Sequence, residues 1–324
     1  MTSPVSHSRR LQPWQIIVCL GVAAFLALGL STNTFRIYHL FLLLVVPGAL
    51  VAADAGRRFF FDWGPLFGTW ITYDRLRLAQ PWLLERVGVA WPHNLERALF
   101  GWMTGGVAPP HAARAWLALH SASPIWAGAA WSLEVVYLSH VFAYPALLLG
   151  LWLRGRTSTE WRDRFVRYTR AFVILNLIGF AIYVLLPAAP PWWVSAHGFA
   201  QPTAELVAAT DLTAGMDGAI IRETIKTAPN WFAAVPSLHG GYPVLLLLLL
   251  WRERSRRAIL AALSYGSVMW IATVALNQHY VIDLLAGAVV AFVAFALSER
   301  IGSWDATRPT DPRSGTPLVL GQKA

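Results

Sequence analysis

The sequence predicts an all-α, polytopic membrane protein: a helical bundle of about eight spans with short helices lying in the membrane interface on its non-cytoplasmic side. Two observations predict this class. Hydrophobic residues make up 56% of the 324-residue chain, charged residues only 13%, and tryptophan occurs 17 times, which is the composition of a chain whose solvent is lipid. Apolar segments also alternate with short arginine-rich turns: Arg9 and Arg10; Arg57 and Arg58; Arg154, Arg156, Arg162, Arg164, Arg167 and Arg170; Arg252, Arg254, Arg256 and Arg257. Such clusters mark cytoplasmic loops. They account for the formal charge of +9 without a nucleic-acid partner, and nucleic-acid binding is set aside.

The spans follow from length and apolarity, since a crossing helix needs about 20 residues. Segments 14–30, 37–53, 126–153, 165–186, 236–251, 258–276 and 280–297 qualify on the sequence. The first follows two arginines and has the look of a signal peptide, but no small-x-small cleavage site follows it, and it reads as a retained span. Seven crossings cannot place every arginine cluster on one side. Segment 59–79, FFFDWGPLFGTWITYDRLRLA, supplies the missing one despite Asp62, Gly64, Pro65 and Gly68. The N- and C-termini then lie in the cytoplasm. An N-terminal two-span hairpin over 1–58, a catalytic membrane domain over 59–301 and a disordered tail over 302–324 complete the organisation. A bacterial plasma membrane is the expected location.

The remaining loops fall on the opposite, non-cytoplasmic side. NLERALFGW and HAARAWLALH within 80–125 read as interfacial helices. In PAAPPWWVS the prolines end a span, and Trp192 and Trp193 stand where an aromatic belt would be. No internal repeat supports an inverted-repeat transporter. The one cysteine, Cys19, sits in an apolar run, so neither an intramolecular disulfide nor a CxxC redox pair is available.

This topology brings two distant histidines to one face. His239 opens the span after AAVPSLHGGYP, and His279 precedes another in ALNQHYVIDLLAG. His279 and Asp283 are four residues apart, on one helical face, where a carboxylate can fix the imidazole tautomer and leave the other nitrogen free to attack. An acidic side chain inside a span is expensive without a function. Around His239, Pro236 suits a first helical turn, and Ser237 and Gly240 lie where exposed helix-start amides bind anions, phosphate above all. His239 can then protonate a leaving oxygen.

PSLH together with HYVID resembles the type 2 phosphatidic acid phosphatase superfamily, in particular its inositol phosphorylceramide synthase-like branch. DWGPLFGTWITYDRLR, LLPAAPPWW and NWFAAVPSLHGG extend the resemblance over 62–287. The likeness implies a six-helix catalytic core and a reaction without metal or other cofactor: His279 as nucleophile forming a phosphohistidine, Asp283 orienting it, His239 as proton donor, and Arg75 and Arg77 gripping phosphate. The substrate would be a phospholipid or other lipid phosphate in the bilayer, and the acceptor either an alcohol or water. The phosphatase branch carries an arginine six residues before its nucleophile, where this chain has Thr273. Arg222 and Lys226 are the substitutes the sequence offers.

Other readings stand beside these. His93, His111, His120 and His197 read as satisfied interfacial residues, and His140 as a helix-to-helix bond outside the catalytic set. Asp62 and Tyr73 read as supports for Arg75 or as interface anchors, and Asn230 as a helix cap. Two histidines and a carboxylate could also hold zinc in an intramembrane hydrolase, and a lipid carrier would need no catalyst at all.

Overall fold

The computed structural model describes residues 12–31, 46, 56–209, 211, 214–216, 218–226 and 228–307. Among them the architecture is all-helical, with two isolated bridges as the only β pairing. The long helices are α1 (Pro13–Ser31), α2 (Gly56–Arg75), α6 (Pro124–Arg154), α7 (Thr159–Leu185), α11 (Leu238–Arg252), α12 (Arg256–Ala275) and α13 (Val281–Thr307). Short ones lie between: α3 (Gln80–Leu84), α4 (Ala90–Phe100), α5 (Pro109–His120), α8 (Pro191–His197), α9 (Ala204–Ala209) and α10 (Ala219–Lys226). By length and composition α6, α7, α12 and the Val281–Gly302 part of α13 can cross a bilayer, and α1 and α11 contribute shorter apolar helices. Apart from residue 46 the expected span over 37–53 lies outside the described residues, as does the tail from 308.

The elements depart from expectation at their ends. α2 begins at Gly56, inside the expected hairpin, and α13 stays helical to Thr307, past the expected domain end at 301. α11 starts at Leu238, so Pro236 lies before the helix and not in its first turn; the N-cap is Ser237, whose hydroxyl accepts the Gly240 N–H.

The bundle core is one aromatic-rich cluster from α2, α6, α7, α11 and α13, including Phe59, Trp63, Trp152, Phe165, Leu175 and Leu245, with Trp14 and Val18 of α1 packed on it. Asp62, one of the residues that weaken the hydropathy of segment 59–79, is paired rather than exposed to lipid. It receives both guanidinium nitrogens of Arg162 from α7 and the Trp152 Nε1–H of α6 at 2.8 Å. A charge inside an apolar bundle is tolerable when it is matched in this way.

The short helices form a second layer over the end of the bundle where α2, α7 and α12 finish and α11 and α13 begin. Its core contains Trp192, Trp193, Phe232 and Met216. Trp192 and Trp193 are 2% and 0% exposed, so they do not form the lipid-facing belt the sequence suggested; the loops fold back over the bundle and take both indoles as the core of that cap. Three loops are stitched together there: Gly88 N–H donates to Pro187 O, Ala189 N–H to Gly88 O and Ala188 N–H to Phe232 O. The turns rich in arginine, between α6 and α7 and between α11 and α12, lie at the other end of the same helices.

Candidate active site

Two glycine-dependent contacts set the site. A Cβ on Gly287 would lie 2.0 Å from the Ser237 carbonyl oxygen, and one on Gly240 would lie 2.8 Å from the Leu284 backbone. The starts of α11 and α13 therefore approach backbone to backbone, which only glycine permits. Ser237 N–H donates to the Asp283 carbonyl at 2.9 Å, and Gly240 and Gly241 N–H both donate to Ser237 O. Ser237 and Gly240 are thus committed to joining the two helices, and their amides are not open to an anion.

The second histidine is held by the way α12 ends. Asn277 adopts φ +59°, a left-handed conformation that asparagine accepts better than most residues, and its Nδ2 donates to Ser195 Oγ and Gly215 O, each at 2.9 Å. Gln278 and His279 N–H then both donate back to Thr273 O. The position six residues before His279 contributes its carbonyl to the turn, not a cation to the site.

His239 and His279 meet across this junction. His239 Nδ1 lies 3.2 Å from His279 Nε2, and His279 Nδ1 lies 3.4 Å from Asp283 Oδ2. Asp283 is fully buried and its Oδ2 also accepts the Tyr280 N–H at 2.9 Å. The carboxylate sets the order of protons: Nδ1–H of His279 faces Asp283, leaving the Nε2 lone pair to accept Nδ1–H of His239. The nitrogen suited to attack and the proton suited to a leaving oxygen are thus at the two ends of one hydrogen bond.

Both rings line a cavity of about 230 Å³. Its wall is largely apolar and aromatic, from Leu66, Trp70, Phe172 and Phe180 to Trp192 and Trp231. Among the described residues no lysine or arginine lines it. Arg75 and Arg222 are exposed, Arg77 pairs with Asp74 at 2.6 Å, and Lys226 pairs with Glu223 at 2.7 Å. All four belong to segments whose neighbours Tyr73, Thr224 and Ile225 do line the cavity, but the structure does not bring their charges to the histidine pair. Among the described residues no group of three His, Cys, Asp or Glu side chains forms a metal-ligating cluster.

Several residues join the site that the sequence did not assign to it. His140, set outside the catalytic group by the sequence reading, has its ring 3.9 Å from that of His239, and Tyr137 stacks on His239 at 4.3 Å. His140 Nδ1 donates to the Tyr137 carbonyl at 2.6 Å, which fixes its tautomer. Glu96 of α4, fully buried, accepts Val281 N–H and Ile282 N–H at 3.0 and 3.1 Å and so caps α13 close to His279. No local pattern marks that role, because cap and helix are 185 residues apart. Burial raises the Glu96 carboxyl, and the two amides oppose that shift. His93 and His111 stack on each other at 5.1 Å and flank Tyr280, while His111 Nε2 meets Pro191 O at 3.1 Å. Burial, reinforced by His111 and Arg97, pushes His93 down to about 4. His120 stacks on Trp116 and His197 on Trp193.

A pair of histidines backed by a buried carboxylate, on the wall of an apolar cavity in a helical membrane bundle, is an arrangement suited to phosphoryl transfer on lipids. Comparison with known proteins agrees: residues 106–297 match the PAP2 superfamily model, and the chain is 30% identical over 289 residues, covering 88% of it and 91% of the other, to phosphoinositol dihydroceramide synthase of Bacteroides thetaiotaomicron. The chain belongs to the PAP2 superfamily and is a membrane lipid phosphotransferase of that class. Similarity extends to the inositol phosphorylceramide synthase catalytic subunit of Schizosaccharomyces pombe (29% identity, 41% of this chain, 32% of that protein) and to inositol phosphorylceramide synthase of Candida albicans (29%, 49% and 33%). The alignments with these two fungal proteins cover about a third of their length. No solved structure matches.

Proposed function

We propose that this enzyme moves a phosphoinositol unit from an inositol phospholipid to the hydroxyl of a dihydroceramide-like lipid through a phosphohistidine at His279. The observation that carries the reading is the hydrogen bond between His239 Nδ1 and His279 Nε2, with Asp283 behind it, on the wall of a largely apolar cavity. The relative matched over nearly its full length bears the name of that reaction.

In the first step His279 Nε2 attacks phosphorus, the bond from phosphorus to the diacylglycerol oxygen breaks, and that oxygen takes the Nδ1 proton of His239, which enters the step as the imidazolium and is left as a neutral ring. In the second step the acceptor oxygen attacks phosphorus, the P–N bond breaks with its electrons returning to His279, and the hydroxyl proton passes to His239. Asp283 keeps His279 in the attacking tautomer and stabilises positive charge that builds on the ring. Both lipids reach the site from the bilayer, which fits a cavity lined by hydrocarbon and aromatic rings.

The arginine-rich turns at the far end of the bundle support cytoplasmic termini, eight crossings and an active site on the non-cytoplasmic face of a bacterial plasma membrane. Arg75, Arg77, Arg222 and Lys226, near the cavity but turned from it, suit attraction of anionic lipid to that face better than contact with the transferring phosphorus.

The test is purified protein in liposomes with inositol-labelled phosphatidylinositol, with and without dihydroceramide. A labelled sphingolipid phosphodiester appearing with diacylglycerol is the expected result. Release of labelled inositol phosphate alone, unchanged by dihydroceramide, would make the protein a hydrolase and overturn the transfer reading.

A further inference from the structure

A phosphoryl group in transfer spreads negative charge over its oxygens, and donors fixed in advance at those oxygens lower the barrier. No lysine or arginine lines the cavity among the described residues, so donors outside the histidine pair are sought among uncharged side chains. Of the buried polar atoms on the cavity wall among the described residues, three lack a hydrogen-bond partner: His239 Nε2, His279 Nδ1 and Asn230 Nδ2. His279 Nδ1 faces Asp283, and His239 Nε2 belongs to the ring already assigned to proton transfer. Of these three buried atoms the one outside the histidine pair is the amide of Asn230, an obligate donor. Three further donors on the wall are taken: Gln278 Nε2 donates to Leu276 O at 3.1 Å, the Tyr183 hydroxyl to Pro236 O at 2.9 Å and the Tyr242 hydroxyl to Asn176 Oδ1 at 2.7 Å.

Asn230 is 5% exposed. Its Oδ1 accepts the Phe232 N–H at 2.9 Å, which assigns the amide orientation and turns Nδ2 to the other side. The turn that carries it is held on both flanks. Ala228 N–H and Trp231 Nε1–H donate to Ile225 O, and Phe232 O accepts from Ala188 N–H. A buried N–H held without an acceptor costs stability, and it is satisfied when a ligand brings an oxygen.

We propose that Asn230 Nδ2 donates to a non-bridging oxygen of the phosphoester held at the histidine pair, supplying the contact that no basic side chain makes. The proposal rests on the phosphotransfer reading above and names a catalytic residue for it. Asn230→Asp keeps the oxygen that accepts the Phe232 amide and replaces the free NH₂ with an oxygen of similar size. The turn bond through Oδ1 therefore survives that change and the donor role does not; the helix cap expected of Asn230 falls instead to Ser237.

The probe is orthovanadate, a mimic of the transferring phosphoryl group, together with the labelled phospholipid donor. In Asn230→Asp, kcat/KM should fall by about 10²–10³, mainly through kcat, the usual loss for one oxyanion donor. Vanadate inhibition should weaken by about tenfold or more, with a thermal midpoint near that of the wild type. Asn230→Ala should show the same two kinetic losses. In the wild type, vanadate should slow hydrogen exchange over 228–232, a measurement that needs no variant to fold. Wild-type kcat/KM and vanadate inhibition in both variants, or exchange over 228–232 unmoved by vanadate at inhibitory concentration, would overturn the assignment while leaving the phosphotransfer reading in place. A wild-type enzyme neither inhibited by vanadate nor labelled at His279 would overturn both.

Discussion

One proton lies between His239 and His279, and each ring fails differently without it. Replacing the nucleophile removes the covalent step: His279→Ala should abolish transfer and leave no acid-labile phosphoenzyme when the protein is quenched after brief exposure to a phosphorus-labelled donor. Normal labelling in that variant would contradict the assignment, and retained function would favour a carrier. Replacing the acid leaves the attack possible but strands the leaving alkoxide, so His239→Ala should slow phosphoenzyme formation by about 10² to 10⁴. A donor with an activated aryl leaving group, which needs no proton, should recover most of that loss in rapid-quench kinetics. The trio of His239, His279 and Asp283 was readable from spacing, because a carboxylate four residues from a histidine and a second histidine at the same membrane face leave few other arrangements. His140 and Glu96 were not readable, since their roles exist only once α6 and α4 have packed against helices far along the chain.

At the scale of elements, the histidine pair depends on how closely α11 and α13 cross. The glycines of PSLHGG suggested a backbone open to phosphate, whereas Gly240 and Gly241 in fact seat their helix on Leu284 and Gly287 of α13. Sequence identifies a need for glycine but not what approaches it. Gly287→Ala should cost about 1–3 kcal/mol or more by overpacking, visible as a lower thermal midpoint, and should also abolish phosphoenzyme formation by forcing the two starts apart. Gly68→Ala, where a Cβ meets nothing within 4 Å, serves as the control and should not lower stability. Helix α4 carries a pH dependence of its own. Because His93 is lowered in the folded state to about 4 from an ordinary value near 6.5, the folded protein favours the neutral ring. Its contribution is intact above about pH 6.5 and is lost as pH falls towards 4. Thermal midpoints should therefore drop over that window more in the wild type than in His93→Gln; equal slopes would show that His93 is not the group responsible.

Across the whole molecule, polar groups are concentrated at the two ends of an apolar bundle, and the ends do different work. One holds the histidine pair beneath a cap of short helices. The other holds Asp62, Arg162 and Trp152, with Arg164 to Glu253 at 3.3 Å and Arg167 to Glu299 at 3.9 Å nearby. Hydropathy revealed most of the bundle because lipid imposes the same demand on every crossing helix. It read α2 poorly because Asp62 lowers the signal until its partners from α6 and α7 are known, and it misplaced Trp192 and Trp193 because a cap core and an aromatic belt have the same composition. The division of labour is testable at Asp62. Asp62→Asn keeps the shape and the Trp152 acceptor but leaves the partly exposed Arg162 without its counter-charge, so stability should fall by about 1–3 kcal/mol, less than for a fully buried pair because solvent reaches the guanidinium. The fraction that remains folded should label with phosphate at the wild-type rate, since no atom of this cluster lines the cavity. A variant of normal stability with slow labelling would instead mean that the arginine-rich end acts on the chemistry across the length of α7.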